Sequence, residues 1–576
     1  MTLLFLQVLL SIIASTPQTD WLTPYEKSKG HETATYQECI AYYQKLDEAY
    51  DEVKLVPYGL TDAGKPLHLV VVNLDKDFDP VAIRQKNKRI LLVQNGIHPG
   101  EPEGIDASMM LVRDFMQKKT QRAALQNIVL LIIPVYNVGG ALNRNTATRT
   151  NQNGPASYGF RGNARNLDLN RDYIKTDSRN ARTFTQIFQE WQPDIFLDNH
   201  TSNGADYQHV MTLIATQKDK LNSYLSRYLT QNLLPSLQAA MTKQKFPMAP
   251  YVDSKGKTPD TGLIGFLDSP RYSSGYTTLF NTIGFITETH MLKPFDQRVK
   301  ATYAFMEILL KTINQEASLL ASARAQAKQD VLDQKNFFLN WVLDTTQVSQ
   351  IPFRGYTAKY KASEVSGQSR LYYDRKAPYV KNIPYYNTFK PTTSVTKPRA
   401  YVVPQAWGEV ITRLQLNNVQ LQSLPHDTML AAEIYYITDY KTGQRPYEGH
   451  YLHNSVTVRR EKQEVRFFKG DYLVYLNQPA NRYLVETLEP QGLDSFFNWG
   501  FFDSILQQKE YFSDYVFEDL AAALLQKYPQ LRQEFEAWKK NNPEQAQSAQ
   551  AQLDFIYRHS PHYEPSHLRY PIARIL

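Results

Sequence analysis

The sequence predicts an α/β protein, in which a mixed, largely parallel, twisted sheet is flanked by helices and followed by a smaller β-rich domain with C-terminal helices. Two observations support this fold class. Near-continuous apolar strands alternate with amphipathic helical patterns over residues 24–325, which is typical of helices packed on a largely parallel sheet. From about residue 400, short alternating strands are separated by turns, and helical periods follow.

Each element of residues 24–325 is predicted from its hydrophobic period. The predicted strands are LHLVVVNL, RILLVQNG, NIVLLIIPVYN, DIFLDNH and GFITETH. The predicted helices are TATYQECIAYYQKLDEAY, EGIDASMMLVRDFMQ, SRNARTFTQIFQEW, KLNSYLSRYLTQNLLPSLQAAMT and FDQRVKATYAFMEILLKTI. We assign this alternating region to one domain.

The remaining segments differ in composition. Residues 330–400 are rich in Tyr, Lys, Pro and Ser, so we expect an extended connecting region or short edge strands. Residues 400–576 hold the predicted β-rich accessory domain, and its C-terminal part is helical. Residues 1–16 combine an apolar run with small residues, which predicts a cleaved signal peptide and an exported, periplasmic or extracellular protein. No other stretch is long and apolar enough to predict a membrane span.

The composition excludes several kinds of site. The formal charge is +7 with no Lys/Arg block, so no nucleic-acid partner is predicted. Because Cys39 is the single cysteine, neither an intrachain disulfide nor a cysteine zinc site can form. The chain has no G-x-S-x-G, P-loop or G-x-G-x-x-G motif, which leaves serine hydrolases and nucleotide-binding proteins without support.

The segment QNGIHPGEPEG, residues 94–104, places a histidine and a glutamate between a predicted strand and a predicted helix. The tight turn between His98 and Glu101 can bring both side chains around one ion. Open α/β sheets bind their ligands at such carboxyl ends of strands. The alternative is a glutamate that favours a helix N-terminus beside a surface histidine.

Two further polar residues close apolar strands, His200 in DIFLDNH and Glu288 in GFITETH. A glutamate in such a setting costs desolvation free energy unless it is paired or used. Zinc in a hydrolase takes three protein ligands and keeps one open position. Polar clusters at three strand ends of one predicted sheet therefore favour a metal site.

A fourth polar cluster lies in NARNLDLNRDY. Asp168 and Asn170 point to the same side of a short extended segment, and Arg171 can bind a carboxylate through two hydrogen bonds. Asp168 could accept the free ring N–H of a histidine that binds a metal. For any one of these residues, the alternative is a loop stabilised by Asx turns.

In chain order, H-x-x-E, an Asn-Arg pair after Asp-Leu, a strand-end His and a strand-end Glu resemble the carboxypeptidase A-like zinc metallocarboxypeptidase family over roughly residues 24–320. The resemblance implies one Zn²⁺ ion with His98, Glu101 and His200 as its ligands. It also implies that Glu288 is the general base that activates the attacking water and later returns the proton to the leaving amine.

The same resemblance implies substrate-binding residues. Asn170 and Arg171 match the pair that binds the terminal carboxylate of the substrate, and Asp168 matches the acid behind the first histidine. The substrate is then a peptide or peptide-like molecule with a free C-terminal carboxylate.

The resemblance implies two more roles, and the sequence offers two candidate residues for each. An arginine that stabilises the developing oxyanion is expected in NRNTATRTNQN, where we prefer Arg149 to Arg144. A tyrosine over the specificity pocket is expected in PRYSSGY, where we prefer Tyr272 to Tyr276.

The chain departs from the family at several points. The family's Asn-Pro-Asp-Gly turn becomes NVGG at residues 137–140, and Gly100 stands where animal digestive members carry an arginine. No acidic residue marks a pocket floor near Thr277 and Thr278, which argues against a preference for C-terminal Lys or Arg.

We therefore expect a zinc-dependent metallocarboxypeptidase. A zinc amidohydrolase, deacylase or cell-wall peptide amidase of the same fold would show the same motifs and stays open as an alternative. A binding protein that has lost catalysis would be expected to lack the base or a ligand, and all four residues are present. The β-rich domain contains no motif that suggests chemistry, so we expect it to modulate access or bind a partner.

Overall fold

The computed structural model describes residues 21–576, and the predicted signal peptide at residues 1–16 lies outside the described residues. The helices are α1 (Pro24–Lys27), α2 (Tyr36–Ala49), α3 (Pro80–Gln85), α4 (Glu103–Gln117), α5 (Lys119–Arg122), α6 (Val138–Leu142), α7 (Arg179–Trp191), α8 (Ser223–Tyr228), α9 (Leu234–Lys243), α10 (Ser273–Thr278), α11 (Phe295–Gln315), α12 (Ala317–Asp333), α13 (Gly408–Leu416), α14 (Asn481–Leu488), α15 (Asp514–Lys527), α16 (Pro529–Asn541) and α17 (Ala549–Arg558).

The strands are β1 (Val53–Leu60), β2 (Pro66–Val72), β3 (Arg89–Gln94), β4 (Ile128–Ile133), β5 (Ile195–Ser202), β6 (Met211–Ala215), β7 (Ala249–Pro250), β8 (Leu263–Ile264), β9 (Ile283–His290), β10 (Asn336–Leu343), β11 (Ser349–Ala362), β12 (Ser369–Tyr386), β13 (Phe389–Thr396), β14 (Ala400–Val403), β15 (Gln422–Ser423), β16 (Thr428–Thr442), β17 (His453–Phe467), β18 (Tyr472–Tyr475) and β19 (Ala573–Ile575).

An eight-stranded sheet with the order β1-β2-β4-β3-β5-β9-β6-β7 lies at the centre of the protein. Its four middle strands β4, β3, β5 and β9 are parallel neighbours, whereas β1, β2 and β6 join through antiparallel pairs. The predicted mixed, largely parallel sheet is thus confirmed. The sequence patterns missed β6 and β1, and in β1 the pairing register shifts after Pro57, which blurs the alternation of an edge strand.

Helix α4 fixes one end of the sheet next to the site. Glu103 lies in its first turn, where the positive end of the helix dipole favours a carboxylate. Gly104 is required for the close approach of this helix to the sheet, because a Cβ atom there would clash with Asn95 Oδ1. The start of α4 is therefore held tightly against the carboxyl end of β3.

Helices cover both faces of the sheet, and one of the two cores extends into the C-terminal half of the chain. On the first face, α4 and α11 pack over β3 and β5. On the second face, Phe196 of β5 and Phe184 of α7 belong to the same buried cluster as Tyr483 and Trp499. Residues 400–506 therefore share the core on this face of the sheet, where α13 packs on α7.

Residues 330–400 form longer strands than the short edge strands that we expected. Strands β11 and β12 have 14 and 18 residues and pair as an antiparallel hairpin, and β10 pairs with β13. Tyr, Val and Thr favour such strands, and cross-strand pairs such as Lys359 with Asp374, 2.7 Å apart, stabilise the hairpin.

The β-rich region and its C-terminal helices follow, as the predicted fold class requires. Its six-stranded sheet has the order β15-β18-β14-β19-β16-β17. Helices α15, α16 and α17 enclose a small core of their own around Phe517, Phe535 and Tyr557. Over the described part of the chain, every helix is too short or too polar to cross a bilayer. The division of the chain into domains stays a prediction.

Candidate metal centre and substrate cleft

The fold brings the four strand-end residues of the predicted site together. His98 follows β3 and Glu101 precedes α4, and the Glu101 N–H donates to the His98 carbonyl at 2.8 Å, which closes the turn between them. His200 lies in β5 directly beside Glu288 of β9 in the pairing register. All four side chains line one cavity of about 510 Å³.

Three of these residues can hold one metal ion. One potential ligand atom of each of His98, Glu101 and His200 lies within 4.8 Å of the others. The Nδ1 atoms of His98 and His200 lie 3.4 and 3.3 Å from the two carboxylate oxygens of Glu101. Two imidazole nitrogens and one carboxylate, all buried, are one of the ligand sets found around catalytic zinc.

The outer nitrogens of both histidines face carboxylates. Histidines that bind a metal ion commonly donate their other ring N–H to such an acceptor. His98 Nε2 lies 2.9 Å from Asp168 Oδ1, and His200 Nε2 lies 2.9 Å from Asp198 Oδ2. Such partners turn the Nδ1 atoms inward and fix their orientation. The residues therefore fit Zn²⁺.

Asp198 was missed at the sequence level, although a signal for it exists. It precedes His200 by two residues on the same strand, and residues i and i+2 of a strand point to the same face. Asp198 is fully buried and also accepts a hydrogen bond from Gln94 Nε2 at 3.2 Å.

The charges around the cavity shift the protonation equilibria of these buried groups. Burial opposes ionisation of Glu101, but Arg149 and His98 hold its pKa well below the ordinary value. Burial, with the nearby charges of Glu101 and Asp198, raises the pKa of Glu288 to about 8, although the charge of His200 acts in the opposite direction. The two glutamates of one cavity thus differ strongly in proton affinity.

The predicted carboxylate-binding residues line the same cavity. Asn170 and Arg171 lie in a short 3₁₀ turn whose start is capped by Asp168, which accepts from the Asn170 N–H at 2.9 Å. The guanidinium of Arg171 lies 4.6 Å from the ring centre of Tyr272.

The structure separates the alternative residues by position. Tyr272 lines the cavity, whereas Tyr276 is fully buried and donates to Asn417 at 2.7 Å. Arg149 lines the cavity, whereas Arg144 lies outside it and donates to Ser157 Oγ at 2.6 Å.

A second arginine in the cavity, Arg161, was not singled out from the sequence. Its Nη2 lies 2.8 Å from Asp168 Oδ2, and its Nη1 faces His98 Nδ1 at 3.3 Å and Glu101 Oε1 at 3.6 Å. Its side chain is 46% exposed, compared with 15% for Arg149. Arg149 is held on several sides, since Nη1 binds Glu101 at 2.9 Å and Nη2 donates to the Thr201 carbonyl at 3.3 Å.

Comparisons with known proteins show similarity to carboxypeptidases. Residues 39–232 match the family model described as zinc carboxypeptidase. Carboxypeptidase 2 of Trichophyton tonsurans is 21% identical over 472 residues, which cover 80% of both chains. Carboxypeptidase 2 of Trichophyton equinum is 22% identical over 474 residues and likewise covers 80% of both.

Solved structures with partial similarity include a metallo-carboxypeptidase from Pseudomonas aeruginosa in complex with (2-guanidinoethylmercapto)succinic acid, at 16% identity and a TM-score of 0.37, covering 50% of this chain and 70% of that one. Carboxypeptidase A from Helicoverpa armigera is 16% identical, with a TM-score of 0.36 and coverage of 52% and 75%. The matched family model and the relatives in sequence support the similarity of this chain to the carboxypeptidase A-like zinc metallocarboxypeptidases.

Proposed function

We propose that the protein is a zinc-dependent carboxypeptidase that releases the C-terminal residue of a peptide. The observation that supports this most is the shared cavity, in which a zinc-type ligand set lies beside a free glutamate and an arginine suited to a carboxylate. A metal ion bound by His98, Glu101 and His200 would polarise a carbonyl oxygen and lower the pKa of water.

Glu288 is the proton carrier of the proposed reaction. Its carboxyl group lines the cavity and is not one of the three clustered ligands. It takes the proton of the attacking water and later delivers it to the amine that leaves.

Arg171 and Asn170 bind the end of the substrate. The guanidinium fork of arginine matches the planar carboxylate, and Tyr272 packs against the guanidinium from one side. An arginine that binds the terminal carboxylate of the substrate limits hydrolysis to the last peptide bond.

We assign the stabilisation of the oxyanion to Arg161 instead of Arg149, which the sequence had favoured. Arg161 is the more exposed of the two: its Nε and Nη2 donate to Asp168, and its Nη1 is directed towards the clustered ligands. Both Nη atoms of Arg149 are engaged, by Glu101 and by the Thr201 carbonyl. Hydrogen-bond donors placed where negative charge develops lower the barrier of acyl transfer.

The cavity also suggests a neutral C-terminal residue in the substrate. Its lining includes Ile214, Phe266 and Ile286, and its carboxylates are Glu101 and Glu288, which the site already uses. A basic side chain of the substrate would find no further acidic partner among the lining residues. Export after removal of residues 1–16 remains part of the proposal and rests on the sequence pattern alone.

Hydrolysis of a peptide library with free and amidated C-termini tests this function, with zinc added and with a chelator. We expect release of single neutral C-terminal residues, which the chelator and amidation both abolish. Cleavage that ignores amidation would favour the amidohydrolase or deacylase alternative. A protein that binds zinc but cleaves none of the library would contradict the proposed activity.

A further inference from the structure

The β-rich region reaches the cleft through a tight turn at the end of the β16–β17 hairpin. Tyr447 and His450 pair across this turn, with the Tyr447 N–H donating to the His450 carbonyl at 2.7 Å. Glu448 and Gly449 both have positive φ angles, 50° and 87°. A non-glycine residue in this conformation costs free energy and persists only where surrounding contacts hold it.

The contacts of the turn supply that support, and three of them go to the segment that carries the proposed substrate-binding residues. Glu448 Oε2 accepts from the Asp168 N–H at 2.7 Å, and Tyr447 Oη accepts from Arg171 Nε at 2.9 Å. His450 Nε2 lies 2.6 Å from Asp177 Oδ2. The turn is therefore bound to residues 168–177 at three points.

The ring of Tyr447 is itself held in place. It stacks on Trp499 with ring centres 6.2 Å apart, and the guanidinium of Arg271 lies 5.4 Å from its centre. Arg271 in turn is fixed by Asp494, with Nη2 2.7 Å from Oδ1. The phenol oxygen consequently has a defined position behind Arg171.

The hydrogen bond to Tyr447 decides which edge of the Arg171 guanidinium faces the cavity. A carboxylate can bind arginine in two parallel hydrogen bonds, and one such arrangement uses Nε. Here Nε is occupied by Tyr447, and Nη1 donates to the Asn170 carbonyl at 2.8 Å. The second N–H of Nη1 and the N–H groups of Nη2 are left for a substrate.

We propose that Tyr447 is a positioning residue for Arg171, so that the β-rich region takes part in recognising the C-terminal carboxylate of the substrate. The inference rests on the proposed carboxypeptidase function and extends it to a part of the chain in which the sequence showed no chemistry. Tyr447 does not line the cavity, so it acts through Arg171 and not by touching the substrate.

The test measures binding in the zinc-loaded Glu288→Gln protein, which holds a peptide without cleaving it. Calorimetry compares one short peptide with an apolar last residue as the free acid and as the C-terminal amide. We expect Tyr447→Phe to weaken binding of the free acid about tenfold, the order expected for a lost hydrogen bond to a charged group, and to leave the amide unchanged. The substitution keeps the ring, its packing and the zinc content.

Two further proteins make the result specific. Tyr451→Phe is the matched control, since Tyr451 lies in the same loop and is 53% exposed, and we expect it to bind both peptides like the parent. In an Arg171→Met background, Tyr447→Phe should cause no further loss, because the group that it positions is gone.

Three results would overturn the inference: undiminished binding of the free acid by Tyr447→Phe, an equal loss for acid and amide, or the same tenfold loss in the Arg171→Met background. Failure of the underlying function has a different signature. The parent Glu288→Gln protein would then bind acid and amide equally well, before any change at Tyr447.

Discussion

The two halves of the cleft are built in different ways. His98, Glu101, His200 and Glu288 lie on or next to neighbouring strands, so the backbone pairing of the sheet fixes their positions. The residues opposite lie on loops, and Arg171 depends on Tyr447, which is 276 residues away in the sequence. The proposed reactive groups are thus positioned by sheet register, whereas the groups proposed to recognise the substrate are held by contacts from distant parts of the chain.

Among the residues placed by the sheet, we expect the substitution Glu288→Gln to have the largest effect on activity. Because the amide cannot take a proton from water, we expect kcat to fall by a factor of about 10² to 10⁴ while the zinc content stays the same. Steady-state kinetics and metal analysis check this. Glu364→Gln, in the exposed hairpin turn, is the control. Full activity of the Glu288 variant would contradict the proposed role of Glu288 as the proton carrier.

On the loop-borne half, Arg161→Lys and Arg149→Lys can be compared directly. If Arg161 stabilises the oxyanion, its replacement should lower kcat by a factor of about 10² to 10³, and replacement of Arg149 should have a smaller effect. Lysine keeps the charge and removes the fork, so the comparison reports geometry. The opposite ranking would restore the original preference for Arg149.

Asp168 links the two halves, because it contacts His98 of the metal centre and is contacted by Glu448 of the turn. We expect Asp168→Asn to weaken zinc binding about 10- to 100-fold, since the histidine loses an acceptor that orients it. Competition with a chromophoric chelator measures the affinity. An unchanged zinc affinity would show that the contact between Asp168 and His98 does not contribute to metal binding.

The smallest effect on catalysis is expected from a substitution at Asp177, which contacts His450 of the Tyr447 turn. Burial opposes its ionisation, but the hydrogen bond with His450 and the charge of Lys175 hold its pKa below the ordinary value. A carboxylate of this kind stabilises the fold above its unfolded-state pKa of about 4, and this stabilisation is lost as the pH falls through the lower, folded-state pKa.

We therefore expect Asp177→Asn to lower the free energy of unfolding at pH 7 by about 2 kcal/mol, with kcat nearly unchanged. The gap between the melting temperatures of parent and variant should narrow as the pH is lowered from about 5 to 3. A gap that stays constant over this range would mean that the ion pairs of Asp177 contribute nothing to stability.

The difference between the two halves also explains what could be predicted from the sequence. Apolar strands that end in His200 or Glu288 are visible in a single sequence, because period and polarity are local properties. Asp198 could have been found by the same rule, from its spacing to His200. Nothing in the pattern around Arg161 or Tyr447 indicates where their loops close, because that depends on packing between distant segments.

The contrast between local sequence pattern and packing of distant segments also explains which elements of the fold were predicted. Strands with a continuous apolar pattern were predicted correctly, whereas the half-exposed β1 and the short β6 were missed. The hairpin of β11 and β12 is polar on much of its surface, so its Tyr- and Lys-rich strands looked like connecting segments. Its strands are recognisable by their pairing and not by a buried face.

The position of β19 has a consequence for the timing of synthesis. This strand, Ala573–Ile575, lies between β14 and β16 and joins the two parts of the six-stranded sheet that supports the Tyr447 turn. Translation proceeds at about 5 to 20 residues per second, and N-terminal domains fold first. We therefore expect the six-stranded sheet behind the Tyr447 turn, and with it the proposed binding of a peptide C-terminus by Arg171, to be completed only when residues 573–575 have been added and paired.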